Sequence, residues 1–420
     1  MKKRFVLGML ALVLWAVPGW ASEEVVLHLE PLVREALEKN PKISSARERH
    51  LSLKERIPRA GALEEPMLSA GVVNLPESLD FSEEGMTMKE VSLSQKFPFP
   101  GKRGLLAAAA SREADAGSSM AEEVANQVVR EVKEAYYDLS HVHRAMEVTR
   151  RNKEILEDLS RITATRYALG RGIQEDVIRN QVEISKMVDE LSMLTQQREA
   201  AEARLNFLLH RPTRGPLGRP AEIEFTPAAL SIPGLQALAV TRNPVLRALR
   251  EEIDARGKGV ELARREYYPD FSVKVAYGQR EDLPDLYTGM IEMNLPIYRG
   301  SRQAPGLAAA RSDVRAARAS YDSAESELFY RIAETGAMAE RLERQIILYR
   351  TGILPQARLQ IDSAMSAYQV DRADFMTLLD SRMQLYRYEL EYHGALTEYE
   401  KRLAALEAAV GAPIAREVAK

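Results

Sequence analysis

Phe271-Ser272-Val273-Lys274-Val275-Ala276-Tyr277-Gly278 alternates in character, with Phe271, Val273, Val275 and Tyr277 on one face of an extended chain. Ser272, Lys274, Ala276 and Gly278 fall on the other face. After a short acidic loop the pattern returns, with Tyr287, Gly289, Ile291, Met293 and Leu295 set against Thr288, Met290, Glu292 and Asn294. Earlier in the chain Val91, Leu93 and Phe97 oppose Ser92, Ser94 and Lys96, and Leu68, Ala70 and Val72 give a weaker version. Ten residues at about 3.3 Å each reach roughly 33 Å, enough to cross an outer membrane when tilted. Tyr267, Tyr268, Tyr277, Tyr287, Tyr298, Phe97 and Phe99 sit at the strand ends, where a barrel's aromatic girdle lies. Taken alone, these strands fit an ordinary half-buried hairpin on a soluble domain equally well.

The surrounding chain says the same thing twice. Asn40-Pro41 returns as Asn243-Pro244, Phe97-Pro98-Phe99 as Leu295-Pro296-Ile297, Tyr167 as Tyr368 and Pro212 as Pro413. Gly101 and Gly300 follow the strands, and alanine-rich helix starts follow both, at Ala107 to Ala110 and at Ala308 to Ala310. A period near 200 residues describes one pseudo-symmetric unit and not a solenoid of short repeats. Each half predicts a helix (29–57, then 234–265), a strand pair (66–98, then 269–297), a very long helix (103–168, then 303–367) and a return helix (173–210, then 374–410). Pro212, Pro216, Pro220, Pro227 and Pro233 make 211–233 a structured linker between a first repeat, 22–210, and a second, 234–420. Seven-residue steps run through Val314, Tyr321, Leu328, Thr335, Leu342 and Tyr349, through Ile332, Ala339, Ile346 and Ile353, and through Val148, Ile155, Ile162 and Leu169. That period implies left-handed supercoiling against neighbouring helices. A helix over 103–168 is roughly 100 Å long, so the molecule is a rod or a tube.

Composition narrows the class further. The 420 residues carry a net charge of −3, 45% hydrophobic and 28% charged residues, and no cysteine. No basic face for nucleic acid is implied. Disulfides, thiolate metal sites and a lipid-modified N-terminal cysteine are excluded. Lys2, Lys3 and Arg4, the apolar run from Phe5 to Val17, and Pro18, Gly19, Trp20 and Ala21 read as a secretory signal over 1–21, cut after Ala21. That run is too short to span about 30 Å of hydrocarbon as a helix. Insertion into a membrane then falls to the strands.

Four strands cannot close a barrel, and open edges are forbidden in hydrocarbon. Several copies must therefore share one barrel, and about twelve strands from three copies leave room for a channel. At this point the chain resembles an outer membrane factor of the TolC family, over the whole mature sequence. The resemblance implies a mainly α fold with a small membrane β-barrel portion: duplicated long helical hairpins forming an α-barrel tunnel, and a strand barrel shared by a homotrimer. It also implies a passive outer membrane channel of a tripartite efflux system, working with a periplasmic adaptor protein and an inner-membrane pump. The substrates are small molecules or metal cations, and the periplasmic helical tip is the gate. The junction Gln95-Lys96-Phe97-Pro98-Phe99-Pro100-Gly101-Lys102-Arg103 is similar to that of the branch serving metal-cation resistance pumps.

By the same resemblance, Tyr167, Gly170, Arg171, Gly172, Glu175 and Asp176 at the first tip dock the adaptor or form the gate, as do Tyr368, Asp371, Arg372 and Asp374 at the second. Simple turn chemistry on a solvated hairpin is the plainer reading of the same residues. Lys102 and Arg103, with Arg299 and Arg302, oppose the dipole of the helices they open. They read as contacts to outer membrane lipid head groups, or as solvated charges around the barrel base. The acidic loop residues Glu77, Asp80, Glu83 and Glu84, and Glu281, Asp282 and Asp285, either tune ion passage or keep the loops soluble. His28, His50, His141, His143, His210 and His393 show no ligand spacing, so no metal site is expected, nor any cofactor. No phosphate loop or nucleophile motif points to an enzyme. Two rival readings remain, a periplasmic adaptor and a coiled-coil scaffold protein.

Overall fold

The computed structural model describes residues 26–416, so the expected signal peptide lies outside the described residues. The chain begins with β1 (Val26–Leu27), α1 (Leu29–Lys39) and α2 (Pro41–Ala60). β2 (Met67–Val73) and β3 (Met88–Phe97) lead into α3 (Lys102–Ala168), 67 residues long, and α4 (Gln174–Leu208) returns. The proline-rich stretch holds β4 (Arg219–Pro220), which runs parallel to β1. The order then recurs with α5 (Ile232–Arg242), α6 (Pro244–Arg265), β5 (Phe271–Gln279) and β6 (Leu286–Met293). A π-helical turn (Arg299–Gln303), α7 (Ala304–Leu348), a second π-helical turn (Tyr349–Ile353), α8 (Leu354–Gln369) and α9 (Phe375–Val410) complete it.

The helices expected over 29–57 and 234–265 are each divided in two, at Asn40-Pro41 and Asn243-Pro244. A proline disfavours helical backbone at the residue before it, and it suits the first position of a new helix. Each asparagine then serves two helices. Asn40 Oδ1 accepts from Lys42 N (2.9 Å) and Asn243 Oδ1 from Leu246 N (3.0 Å), which caps α2 and α6. Their Nδ2 groups donate to Leu208 O and Ala409 O, both at 2.8 Å, satisfying orphan carbonyls at the ends of α4 and α9.

The second long helix also differs from the expected 303–367. Val128, Val132, Leu139, Val142 and Met146 of α3 match Leu328, Ile332, Ala339, Leu342 and Ile346 of α7 in burial, 200 positions on. Past the second π-helical turn the match moves to 201, with Leu156 and Thr163 against Ala357 and Ala364. A π-helical turn is how a helix absorbs one inserted residue. Pro355 follows at once, and its missing N–H leaves the Thr351 carbonyl without the usual helical donor.

The four longer strands form one antiparallel sheet in the order β2-β3-β5-β6. Register decides its faces. Leu68 pairs with Leu93, Leu93 with Val275 and Val275 with Gly289; Val91 pairs with Tyr277 and Tyr277 with Tyr287. One face therefore gathers Leu68, Ala70, Val91, Leu93, Val273, Val275, Tyr277, Tyr287 and Ile291, largely exposed in the single chain, Tyr287 at 83% and Ile291 at 76%. The other face carries Ser92, Ser94, Ser272, Thr288 and the ion pair Lys274–Glu90 at 3.0 Å. Within the chain β2 and β6 each keep one edge unpaired.

The helices pack in matching clusters. Leu32, Ala36, Val132, Leu205 and Leu209 join α1, α3 and the end of α4. Ala239, Leu246, Ile332, Leu406 and Val410 do the same among α5, α6, α7 and α9. A third cluster, with Leu156, Leu159, Phe375, Leu378 and Tyr386, holds α3 against α9. The two hairpins of one chain thus lie side by side, and α4 and α7–α8 form the outer flanks.

Candidate functional site

Both helical tips close through the same backbone bonds. Gly170 N donates to Tyr167 O (3.0 Å) and Arg171 N to Arg166 O (2.8 Å); Asp371 N donates to Tyr368 O (3.3 Å) and Arg372 N to Ala367 O (2.8 Å). The turn requires one left-handed residue, supplied by Gly170 at φ +70° and by Asp371 at φ +57°. Aspartate tolerates that conformation better than most side chains. Its carboxylate is thereby delivered to Arg166, with which it forms an ion pair. Arg166 Nη1 also donates to Tyr368 O at 2.9 Å, and the guanidinium lies 4.5 Å from the centroid of the Tyr368 ring. Tyr368 is buried and packs against Phe375.

Around this link the acids divide. Burial, with Glu175 and Asp374 nearby, raises the Asp176 carboxyl above its ordinary value, against the pull of Arg166. Asp374 is held below its ordinary value by the hydroxyl and amide of Thr377, which it caps at 2.6 and 2.8 Å. Glu175 pairs with Arg179 at 3.2 Å. Among the expected tip residues the structure thus brings Tyr368 and Asp371 together, with Asp176 and Asp374 close by. Tyr167, Arg171 and Arg372 are exposed, and Gly172 is half-buried under the turn. Arg166 holds the arrangement together, although the sequence reading passes it over. Its signal is a break in the repeat: the second copy has Ala367 at the matching place.

At the opposite end of α3, strands meet helices. Lys102 is buried, its Nζ 2.8 Å from Asp270 Oδ1, which also accepts from Phe99 N at 2.7 Å. Burial opposes ionisation of Asp270, but the Lys102 ammonium and the Phe99 amide keep its carboxyl below the ordinary value. Gly101 has φ +90°, and a Cβ there would lie 2.6 Å from Arg265 Nη1, which donates to Pro100 O. Phe99 stacks on Tyr268 at 4.5 Å. Arg103 Nε donates to Gly61 O at 2.7 Å, while Arg299 and Arg302 are exposed. Of the four expected interface cations, Lys102 is committed inside the chain, Arg103 is tied at its base, and the other two face solvent.

Midway along the helices, Arg144 Nε donates to His393 Nε2 at 3.2 Å, beside a cavity of about 340 Å³ that His141, His143 and Glu222 also line. Burial, Arg144 and His141 together push His393 down to about 4. Among the described residues no group of three His, Asp or Glu side chains is placed to hold a metal ion.

A face of α4 is left open. Ile178, Gln181, Val182, Ser185 and Asp189 line a shallow groove, with Ile178 54% and Val182 48% exposed. Their repeat partners in α9 are Leu379, Arg382, Met383, Tyr386 and Leu390, and these pack against α3.

No curated protein sequence matches the chain. Among solved structures, the outer membrane protein VceC from Vibrio cholerae is 18% identical with a TM-score of 0.77, covering 92% of this chain and 96% of that one. A membrane protein from Pseudomonas aeruginosa is 18% identical with a TM-score of 0.81, covering 93% and 92%. The open state of the MtrE outer membrane channel from Neisseria gonorrhoeae is 20% identical with a TM-score of 0.76, covering 91% and 89%. These likenesses give the fold, an α-barrel and β-barrel channel architecture. The sequence profile of outer membrane efflux proteins matches residues 32–210 and again 235–412, so the chain belongs to the outer membrane efflux protein family.

Proposed function

We propose that three copies of this chain form a passive outer membrane duct, the exit channel of a tripartite efflux system. The observation that carries the reading is the sheet: one apolar face, one polar face and two unpaired edges in a single chain. Backbone edges are not tolerated in lipid, so β6 of one copy must meet β2 of the next, antiparallel as in the rest of the sheet. Helical packing supports the same ring. α6 lies between α3 and α7 and buries Pro244, Leu246, Ala248, Ala255 and Ala263, whereas its counterpart α2 rests on α3 and buries Ile43 alone. In a ring, α7 of a neighbour covers α2, and α8 of a neighbour covers the open groove of α4.

In this reading the chain divides into a signal over 1–21, a first repeat over 22–210, a linker over 211–233 and a second repeat over 234–420. The helical tip lies in the periplasm, where exposed Tyr167, Arg171 and Arg372 meet the adaptor protein and the constriction forms the gate. Arg299 and Arg302 reach lipid head groups at the barrel base, and Lys102 acts instead as an internal strut. Small molecules or metal cations pass outward, driven by an inner-membrane pump. Purified mature protein is expected to migrate as a heat-sensitive trimer and to conduct in planar bilayers. Arg171→Glu with Arg372→Glu is expected to weaken adaptor binding without dissociating the trimer. If the double variant leaves both adaptor binding and conductance as they were, the tip assignment fails.

A further inference from the structure

Three histidines, to which the duct reading gives no role, stand around one cavity of about 340 Å³ between α3, α9 and the proline-rich linker. His141 and His143 enter from α3 beside Arg144, and His393 from α9, while the linker brings Arg219 and Glu222. We infer that this cavity binds a small oxyanion, a carboxylate or phosphate compound, one to each chain. Every wall of the site comes from a single chain, so the inference stands apart from the ring.

The linker is fastened over the cavity by its backbone and one apolar side chain. β4 runs parallel to β1, Ala221 N donates to Leu27 O at 2.9 Å, and Ile223 packs against buried clusters of both halves. Arg219 and Glu222 are thereby set against α3. Donors converge there. Arg144 Nε lies 3.2 Å from His393 Nε2, and because a guanidinium only donates, that ring nitrogen accepts and Nδ1 carries the proton. His393 is therefore a neutral ring with one N–H to give. The hydroxyls of Ser140 and Thr397 line the same space. His141 Nδ1 is buried without a hydrogen-bond partner among the described residues, a costly state unless a ligand meets it. The chain itself shows what the two arginines accept. Glu147 Oε2 takes both Arg144 Nη1, at 3.0 Å, and Arg219 Nη2, at 2.8 Å. Glu222, 72% exposed, reaches back from the linker to within 3.2 Å of Arg144 Nη2. An ion pair that exposed contributes little. A free oxyanion displaces Glu222 to water and reaches the hydroxyls and imidazoles as well, and two guanidiniums then face one carboxylate, Glu147. The repeat does not build this site twice, since His141, His143 and His393 correspond to Arg341, Glu343 and Ser192 in the other half.

Calorimetric titration of the purified mature protein with inorganic phosphate, and separately with malonate, tests the site. One oxyanion per chain is expected to bind, with a rise in unfolding temperature that chloride at equal ionic strength does not give. Binding of phosphate alone marks the ligand as a phosphate compound, and binding of malonate alone marks it as a dicarboxylate. Arg219→Met, at a side chain 46% exposed, is expected to keep the fold and to weaken binding about tenfold. Glu222→Gln removes the tethered competitor and is expected to tighten binding about threefold. The inference is overturned if neither probe binds the parent or the Glu222→Gln variant, if Arg219→Met binds as tightly as the parent, or if Glu222→Gln leaves affinity unchanged or lowers it. Failure of the ring reading looks different: trimer and conductance are then absent, while these titrations keep their outcome.

Discussion

Asn40 and Asn243 each hold the start of one helix and the end of another, so replacing either by alanine removes a cap and a donor together. Asn243→Ala is expected to destabilise the fold by about 1–3 kcal/mol, read from the midpoint of denaturant unfolding. A change below about 0.5 kcal/mol would mean that water replaces the side chain at both sites. The recurrence of Asn-Pro is visible in the sequence, but the second task of each asparagine is not, because the accepting carbonyl lies 168 residues away in the first copy. Arg166 escapes for the same reason, its partner Asp371 standing in the other half of the chain. His393 makes a prediction about pH. Its folded pKa of about 4 lies below the ordinary 6.5, so between those values the unfolded chain binds more protons than the folded one. Stability therefore falls as pH drops from 6.5 towards 4, by up to about 3 kcal/mol, and is fully present above 6.5. His393→Gln is expected to flatten that part of the stability profile, and an unchanged slope would place the titrating group elsewhere.

Among the elements, the strands were the most legible, because alternation fixes which side chains share a face once register is set. Ile291 stands on the apolar face and Thr288 on the polar one, in the same strand β6. Ile291→Arg is expected to cost about 2–4 kcal/mol in a lipid environment and to abolish outer membrane insertion, while Thr288→Arg inserts normally. Equal behaviour of the two variants, measured as the heat-modifiable fraction in membranes, would remove the sheet from the bilayer. The long helices were legible in length but not in detail. The observed α3 begins within one residue of the expected 103–168, whereas the second helix is interrupted at Tyr349–Ile353. Its seven-residue pattern runs straight into that segment, and only the shift from 200 to 201 between matching buried residues betrays the inserted residue. Deleting Gly352 is expected to turn the π-helical turn into ordinary helix with helical content unchanged and unfolding within about 1 kcal/mol of the parent. Loss of the folded state would show that the turn is required and not merely absorbed.

At the scale of the molecule, one chain leaves several edges and faces uncovered. Its sheet has two free edges, its helix α2 lacks the second neighbour that α6 enjoys, and α4 leaves open the face that α9 buries. In the proposed ring each of these gaps is filled by the matching element of a neighbouring copy, so the duplication in the sequence carries much of that reading. The contacts of α3 with α9 could not be read that way, since the ion pairs Lys133–Glu407 and Asp138–Lys401 join residues far apart in the chain and appear only when the hairpins lie side by side. The measurement closest to the central claim is single-channel recording on the purified mature protein after reconstitution into planar bilayers. Discrete, stepwise currents from a trimeric preparation are predicted, vanishing when heat dissociates the trimer. A preparation that stays monomeric in water and never produces a current step would contradict the shared barrel.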